Sequence, residues 1–401
     1  MKKSVFFEFL NRRKNKGFDT FLSEAKLDED YIDWNGYALP YDYGNSEEEY
    51  RAIREQCAMF DTSPMRKYRI TGDDAGYYLD RLLTRPVSDT ESSRGMYVIF
   101  CNEDGTLKDD AIIYKFSEFD YLLMSSDIDH SKYFTALAEK LDCKRLSIRD
   151  CTTSMGGVAL QGPLSATAAV TLGFAGSDLL APFEFRWFPF GDDEIFVARM
   201  GFTGDLGYEF WMKTELCDGF MQQIVSAREQ MGIAIPGYGL SALEACRIEG
   251  GFVVAGWDFA TEADPAPGFE RNPFEVGLGW AVNLDAVDFV GRDSLRQRRE
   301  DGNQYLIRRF QTADEDIPGE GSPVFARKDN SAVVVGSINC ASWSWGMEKT
   351  IGNVSLLKDY AKMDEYWVLL DGRPRPIELS RGPLIKLARR NQVPAPLGIE
   401  G

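Results

Sequence analysis

Two textures alternate along most of the chain: short runs in which every second residue is apolar, and longer stretches in which apolar residues recur every three or four positions. The first period belongs to strands and the second to helices. SEEEYRAIREQCA (46–58) has the helical period behind a serine cap, RKYRITG (66–72) reads as a strand, and DDAGYYLDRLLT (73–84) as a helix with acids at its positive end. MYVIFCNEDGTLKDDAIIYKF (96–116) reads as a hairpin turning at Asp104-Gly105, followed by a strand in YLLMSS and an amphipathic helix in SKYFTALAEKLD. A similar series recurs in GGVALQG, PLSATAAVTLG, FRWFPFG, DEIFVARMGFTG, YEFWMK and LCDGFMQQIVSAREQMG. From about residue 303 only short strands remain, among them YLIRRFQT, AVVVGSINCAS and EYWVLL. The expected class is α+β, with a first α+β domain over 1–150, a second over 151–300 and a small β-barrel domain over 301–401. NPFEVGLGWAVNLDAVDFVGRDSL (272–295) is expected to give a loop, a strand and a helix start.

Composition narrows the class of partner. The chain has 401 residues, too many for one ordinary core, and 44% of them are hydrophobic. A net charge of −18 argues against nucleic acid or an anionic membrane as partner. No apolar run approaches a membrane span and the N-terminus lacks a signal-peptide cleavage pattern, so a cytoplasmic protein is expected. Seven scattered cysteines without a CxxC pair read as reduced thiols, and a single histidine, His130, makes a His-based triad or zinc cluster improbable. His130 itself reads as a helix-terminus residue. Any chemistry must rest on carboxylates, aromatics and arginines.

Three stretches offer such groups. Asp109 and Asp110 stand side by side at the start of AIIYKF, and a strand must turn them to opposite faces. The expectation is that Asp109 caps and solvates the hairpin. ARMGFTGDLGYEFW (198–211) carries Glu209 on a strand face shared with Gly207 and Trp211, facing an aromatic pocket. ALEACRIEGG (242–251) is a helix bearing Glu244, Arg247 and Glu249 into a Gly-Gly break.

Together with ALQGP (159–163) and VGSINCASWSWGMEKTIGNVSLLK (335–358), these motifs resemble the glycine-cleavage T-protein (aminomethyltransferase) superfamily, over roughly residues 50–375. The helix ALEACRIEGGFVVAGWDF is similar to the branch of folate-dependent demethylases and dimethylglycine–sarcosine enzymes. The resemblance implies two pseudo-symmetric sheet-and-helix domains and a C-terminal barrel, set in a ring around a central folate channel, with tetrahydrofolate as cofactor. It implies Asp110 as the catalytic carboxylate facing that channel and Tyr97 as the substrate-side tyrosine. Glu209 falls on the pteridine-binding carboxylate, Phe202 on an aromatic that is usually tyrosine, and Arg247 on the arginine of the RLE helix. The implied reaction moves a methyl group from a small methylated donor to N5 of tetrahydrofolate. The alternatives are aminomethyl transfer of the glycine-cleavage type, or folate binding without catalysis, and the partner would be a carrier or an oxidoreductase protein. Three positions depart from the family pattern: Pro64 replaces a histidine, Leu243 an arginine and Phe202 the tyrosine.

Overall fold

The computed structural model describes residues 1–10, 31–286 and 288–394. A helical turn α1 (Phe7–Leu10) and a hairpin of β1 (Tyr31–Trp34) and β2 (Tyr37–Pro40) precede helix α2 (Ser46–Glu55). There follow β3 (Ala58–Asp61), β4 (Arg66–Thr71), α3 (Ala75–Leu82), β5 (Gly95–Cys101), β6 (Leu107–Ser117), β7 (Asp120–Ser125), α4 (Ser131–Lys140) and β8 (Ser147–Asp150). The second series is β9 (Met155–Gln161), α5 (Ser165–Thr171), β10 (Phe185–Phe190), β11 (Asp193–Ala198), β12 (Gly207–Lys213), α6 (Cys217–Met231) and α7 (Leu240–Glu249). After α8 (Arg292–Asp301) come β13 (Tyr305–Thr312), β14 (Pro323–Lys328), β15 (Ser331–Ser344), β16 (Lys349–Leu357), β17 (Tyr366–Leu370) and β18 (Arg373–Ser380). These last six close into a barrel, as the strand texture of the C-terminal third implies.

The two α+β series build two five-stranded sheets of one design, ordered β5-β6-β7-β4-β8 and β10-β11-β12-β9-β3. In each, a three-stranded meander is flanked by the strand that opened its own series. The fifth strands differ in origin. β8 closes the first series and pairs with β4, whereas β3, which precedes that series, crosses over to pair with β9. The second sheet is therefore completed by a strand from the N-terminal half of the chain. Helices α3 and α4 cover the first sheet through Tyr78, Leu79, Phe134 and Leu137, and α5 and α6 cover the second through Ala168, Phe220 and Ile224. The uncovered faces meet each other over Tyr114, Met124, Phe185, Phe196 and Trp211. Ring pairs such as Tyr114–Phe196, 4.9 Å apart and near-perpendicular, fill that layer.

Two local expectations are corrected. The cap of α2 is Asn45, whose extended backbone lets its side chain accept from the amides of Glu47 and Glu48, so Ser46 is already helical. Among the described residues of 272–291 no strand forms: Asn272 and Glu275 accept bonds from neighbouring amides, offering the backbone an alternative to a ladder. Strand β18 carries Pro374 and Pro376 and still pairs with both β17 and β13.

Helix α7 fastens the units together through two buried carboxylates. Glu249 accepts from Tyr50 and Arg54 of α2 and from Ser344 of the barrel. Asp258, in the loop after α7, accepts from Arg247, from the amide of Val254 and from the barrel residues Asn339 and Asn353. Arg247 and Asp258 have no exposed surface at all. Asp258→Ala would leave Arg247 with Glu244 alone and take the shared acceptor from Asn339 and Asn353, so a loss of about 2–4 kcal/mol is expected. A urea titration checks this: the midpoint falls sharply in Asp258→Ala, and stays in place in Arg51→Ala, which removes only the exposed pairs with Glu47 and Glu55.

Candidate active site

Strand β6 sets the geometry. Its residues Ala111 and Ile113 belong to the core under α3 and α4, so Asp110, Ile112 and Tyr114 face the other way, toward the second sheet. Asp110 keeps part of its surface accessible, and Tyr97, on neighbouring β5, lies against its carboxyl group. Burial, reinforced by the adjacent charge of Asp109, pushes Asp110 up to about 7. Tyr97 stacks on Trp280 at 5.5 Å, and the Arg85 guanidinium sits over the same indole.

Asp109 does not cap or solvate the hairpin. It has no exposed surface, and its Oδ2 lies 2.8 Å from His130 Nε2 while Oδ1 accepts from the amide of Asp110. The reason is topological: the face opposite Asp110 is covered by α4, whose N-cap is His130. The histidine is a helix-terminus residue, as its position implies, and its ring is the buried partner of that carboxylate.

Glu209 projects from β12 toward the same inter-sheet layer. Trp211 Nε1 donates to its Oε2 at 3.2 Å, and Tyr114 Oη reaches that oxygen at 3.5 Å. Tyr114 shares a strand face with Asp110, so both carboxylates stand on sheet faces that look toward each other. Desolvation pushes Glu209 up to about 7. Oε1 takes no bond from the described residues, and neither Asp110 nor Glu209 has an ion-pair partner among them.

The glycine-rich loop before β12 is gripped from two sides. The Gln161 side chain donates to the Met200 carbonyl and accepts from Thr203, and it lies where a Cβ on Gly201 or Gly207 would stand. On the other flank Gly204, at φ +71°, packs against Gly250 so closely that only glycine fits. Phe202, partly exposed at the tip, stacks on Phe252 with centroids 4.9 Å apart. Arg247 stands behind this loop, bound to Glu244 at 2.8 Å and Asp258 at 3.1 Å, with its guanidinium near Trp257.

Some of these partners carried no signal in the sequence. Gln161 lies in a motif but has no recognisable chemistry there, and Tyr114 reads as an ordinary strand aromatic. Among the described residues all seven cysteines are free thiols, and no group of three or more His, Cys, Asp or Glu is placed to hold a metal ion. Among the described residues no helix is long and apolar enough to cross a membrane.

Comparison with known proteins decides the family. The model of the GCVT N-terminal domain matches residues 25–286. The chain belongs to this GCVT family. Among its relatives, the aminomethyltransferase of Geobacillus sp. (strain WCH70) is 30% identical over 369 residues, covering 89% of this chain and 95% of that protein. The aminomethyltransferase of Halalkalibacterium halodurans is 29% identical, covering 83% and 87% respectively. The crystal structure of the glycine cleavage system aminomethyltransferase T from Bartonella henselae superposes with a TM-score of 0.80 over 98% of this chain and 99% of that one, at 17% identity, and so shares the fold.

Within the GCVT family frame, Leu243 is nearly buried among Tyr50, Phe60, Tyr238 and Ala242, an environment with no room for an unpaired cation. Pro64 sits in the turn between β3 and β4, its carbonyl accepting from Asn35. The raised Glu209 carboxyl has a consequence for stability. Between the ordinary glutamate value and about 7, folded protein holds a proton that unfolded chain has released, so stability falls as pH rises through that window. Glu209→Gln keeps an acceptor for Trp211 and removes the loss. Differential scanning calorimetry of the ligand-free protein should give a higher Tm than wild type at pH 8 and an equal one at pH 4.

Proposed function

We propose that this chain is a folate-dependent one-carbon transferase that works by aminomethyl transfer to tetrahydrofolate. The observation that carries the reading is the pair Asp110 and Glu209, two carboxylates without an ion-pair partner among the described residues, on sheet faces that look toward each other across an aromatic layer. A buried carboxylate left unpaired by its own protein is suited to a ligand that brings donors or positive charge. The aminomethyltransferase relatives, aligned over most of both chains, support the same activity.

The residues present fit a reduced pterin. Glu209 Oε1 is open, and a carboxylate can accept the ring N–H and exocyclic amine of a pterin edge together. Phe202, braced by Phe252, offers a ring face at the tip of the loop. Arg247 contributes by holding the Asp258 loop against α7. Tetrahydrofolate, when bound, supplies the amine nitrogen that takes up the one-carbon unit. Asp110, ionised, lowers the energy of positive charge developing on the transferred group, and its preset position avoids reorganisation at that moment. Tyr97 lies against Asp110 and holds it toward the donor side, where Trp280 forms an aromatic wall.

A second reading, methyl transfer from a small methylated amine, sulfonium or methoxy donor, is favoured by Pro64, Leu243 and Phe202, which remove polar groups from positions where the family usually carries them. In the first reading a lipoyl-bearing carrier protein delivers the donor, and in the second an oxidoreductase partner fits better.

Binding and turnover separate the roles. Calorimetric titration with tetrahydrofolate should show saturable binding that Glu209→Ala weakens by about 100-fold, the loss of two charge-assisted hydrogen bonds; unchanged affinity removes the pterin assignment. Asp110→Asn should keep that affinity and lower kcat by about 10²–10³-fold. Release of 5,10-methylenetetrahydrofolate from an aminomethyl-lipoyl donor, set against 5-methyltetrahydrofolate from a panel of methylated compounds, decides between the donors.

A further inference from the structure

Asp109 and His130 form a buried acid–imidazole pair directly behind Asp110, and nothing in the reaction proposed above uses it. Asp109 is 0% and His130 2% exposed, and the contact between them is 2.8 Å. His130 is the only histidine of the chain. Its ring is fixed by Phe100, edge-on at 4.9 Å, and by Phe134 at 5.6 Å, while its amide donates to Tyr68 Oη. Such a pair is expensive to desolvate and adds little to stability over an apolar core of the same shape. The covalent link to Asp110 gives it a further use: Asp109 Oδ1 accepts from the Asp110 amide at 2.8 Å, where pairing of β6 with β7 has not yet begun.

We propose that Asp109 and His130 are positioning residues that govern whether Asp110 carries a proton, acting through the charge and hydrogen bond of Asp109 one residue away on the opposite strand face. The inference rests on Asp110 as the charge-stabilising group. Burial raises Asp109 as well and the contact with His130 works against that rise; in its charged form Asp109 opposes a second charge on Asp110. Other groups around the pair do not replace this effect. Tyr97 faces Asp110 from β5, with Arg85 beyond it on the carbonyl side of Tyr97, and Asp127 approaches Asp109 from the loop after β7. The raised position of Asp110 agrees with this arrangement, burial being its largest cause and Asp109 the second.

The consequence is a carboxyl group poised to change state near neutrality, available as a carboxylate for the cation or as an acid for a leaving amine. The test is a titration of full-length protein carrying ¹³C-labelled aspartate carboxyls, the Asp110 signal identified by its loss in Asp110→Asn. In wild type that signal should titrate well above the ordinary aspartate range. In Asp109→Asn, which keeps the acceptor and removes the charge, its midpoint should fall by about one to two pH units, and the acid limb of kcat at saturating substrates should move with it. His130→Leu, which leaves Asp109 to take up a proton itself, should shift it the same way, and His130→Gln, whose amide can still donate, should restore most of the wild-type midpoint. An ordinary Asp110 midpoint in wild type overturns the proposal, as does an unchanged midpoint in Asp109→Asn. Because the wild-type signal is read without substrates, this failure is distinct from loss of tetrahydrofolate binding in Glu209→Ala, which tests the transferase reading.

Discussion

A β-strand turns neighbouring side chains to opposite faces, and in this protein that constraint acts on two consecutive carboxylates. Asp109 and Asp110 cannot share an environment. One is driven under a helix, where only a donor of its own can keep it, and His130 at the N-terminus of α4 supplies that donor. The other is delivered to the layer between two sheets, where no described residue offers a counter-charge. The unequal fate of the two acids gives the site its asymmetry, and it depends on both faces of β6 being covered.

That coverage comes from the packing of the two sheets on each other, helped by one crossing strand. Since β3, from ahead of the first series, completes the second sheet, that sheet has no fifth strand without the N-terminal half of the chain. The inner faces of the sheets pack together, and a group on one can be aimed at a group on the other. Tyr114 reaching from the Asp110 face toward Glu209 is the visible result. The barrel adds a third anchor through Asn339, Asn353 and Ser344 on Asp258 and Glu249, so the Gly250–Gly251 break that supports the 201–204 loop is tied to all three units.

Much of this was legible in the sequence, because strands and helices with one buried face leave a period behind them. The two matching series, the hairpin at Asp104-Gly105, the C-terminal barrel and the outlook of Glu209 along the Trp211 face all follow from local pattern. The misreadings came where side chains answer to distant partners. Asp109 looks like a surface acid until α4, twenty-one residues later, is folded over it. Gln161 becomes meaningful only when Gly201 and Gly207 are brought against its amide. Arg247 reads equally as a ligand or a brace from its helix alone, and its partner Asp258, eleven residues on, carries no signal there. The side-chain-bonded loop after Asn272 misled for a related reason: local amide acceptors override propensity.

The three departures from the family pattern can be weighed by the same electrostatics. An arginine at position 243 would enter an apolar cluster that holds Tyr50, Phe60 and Tyr238. Leucine fits that cluster, and it withdraws a positive charge from this side of the molecule. Asp110 has no ion-pair partner among the described residues, and Arg85, beside Tyr97, is engaged with the Tyr97 carbonyl and the Trp280 ring. Under either transfer reading, the counter-charge that Asp110 lacks in the resting protein comes from the donor as its carbon–heteroatom bond breaks. A site built this way binds the reaction's cationic moment better than its neutral start, which is the condition for lowering a barrier rather than merely holding a ligand.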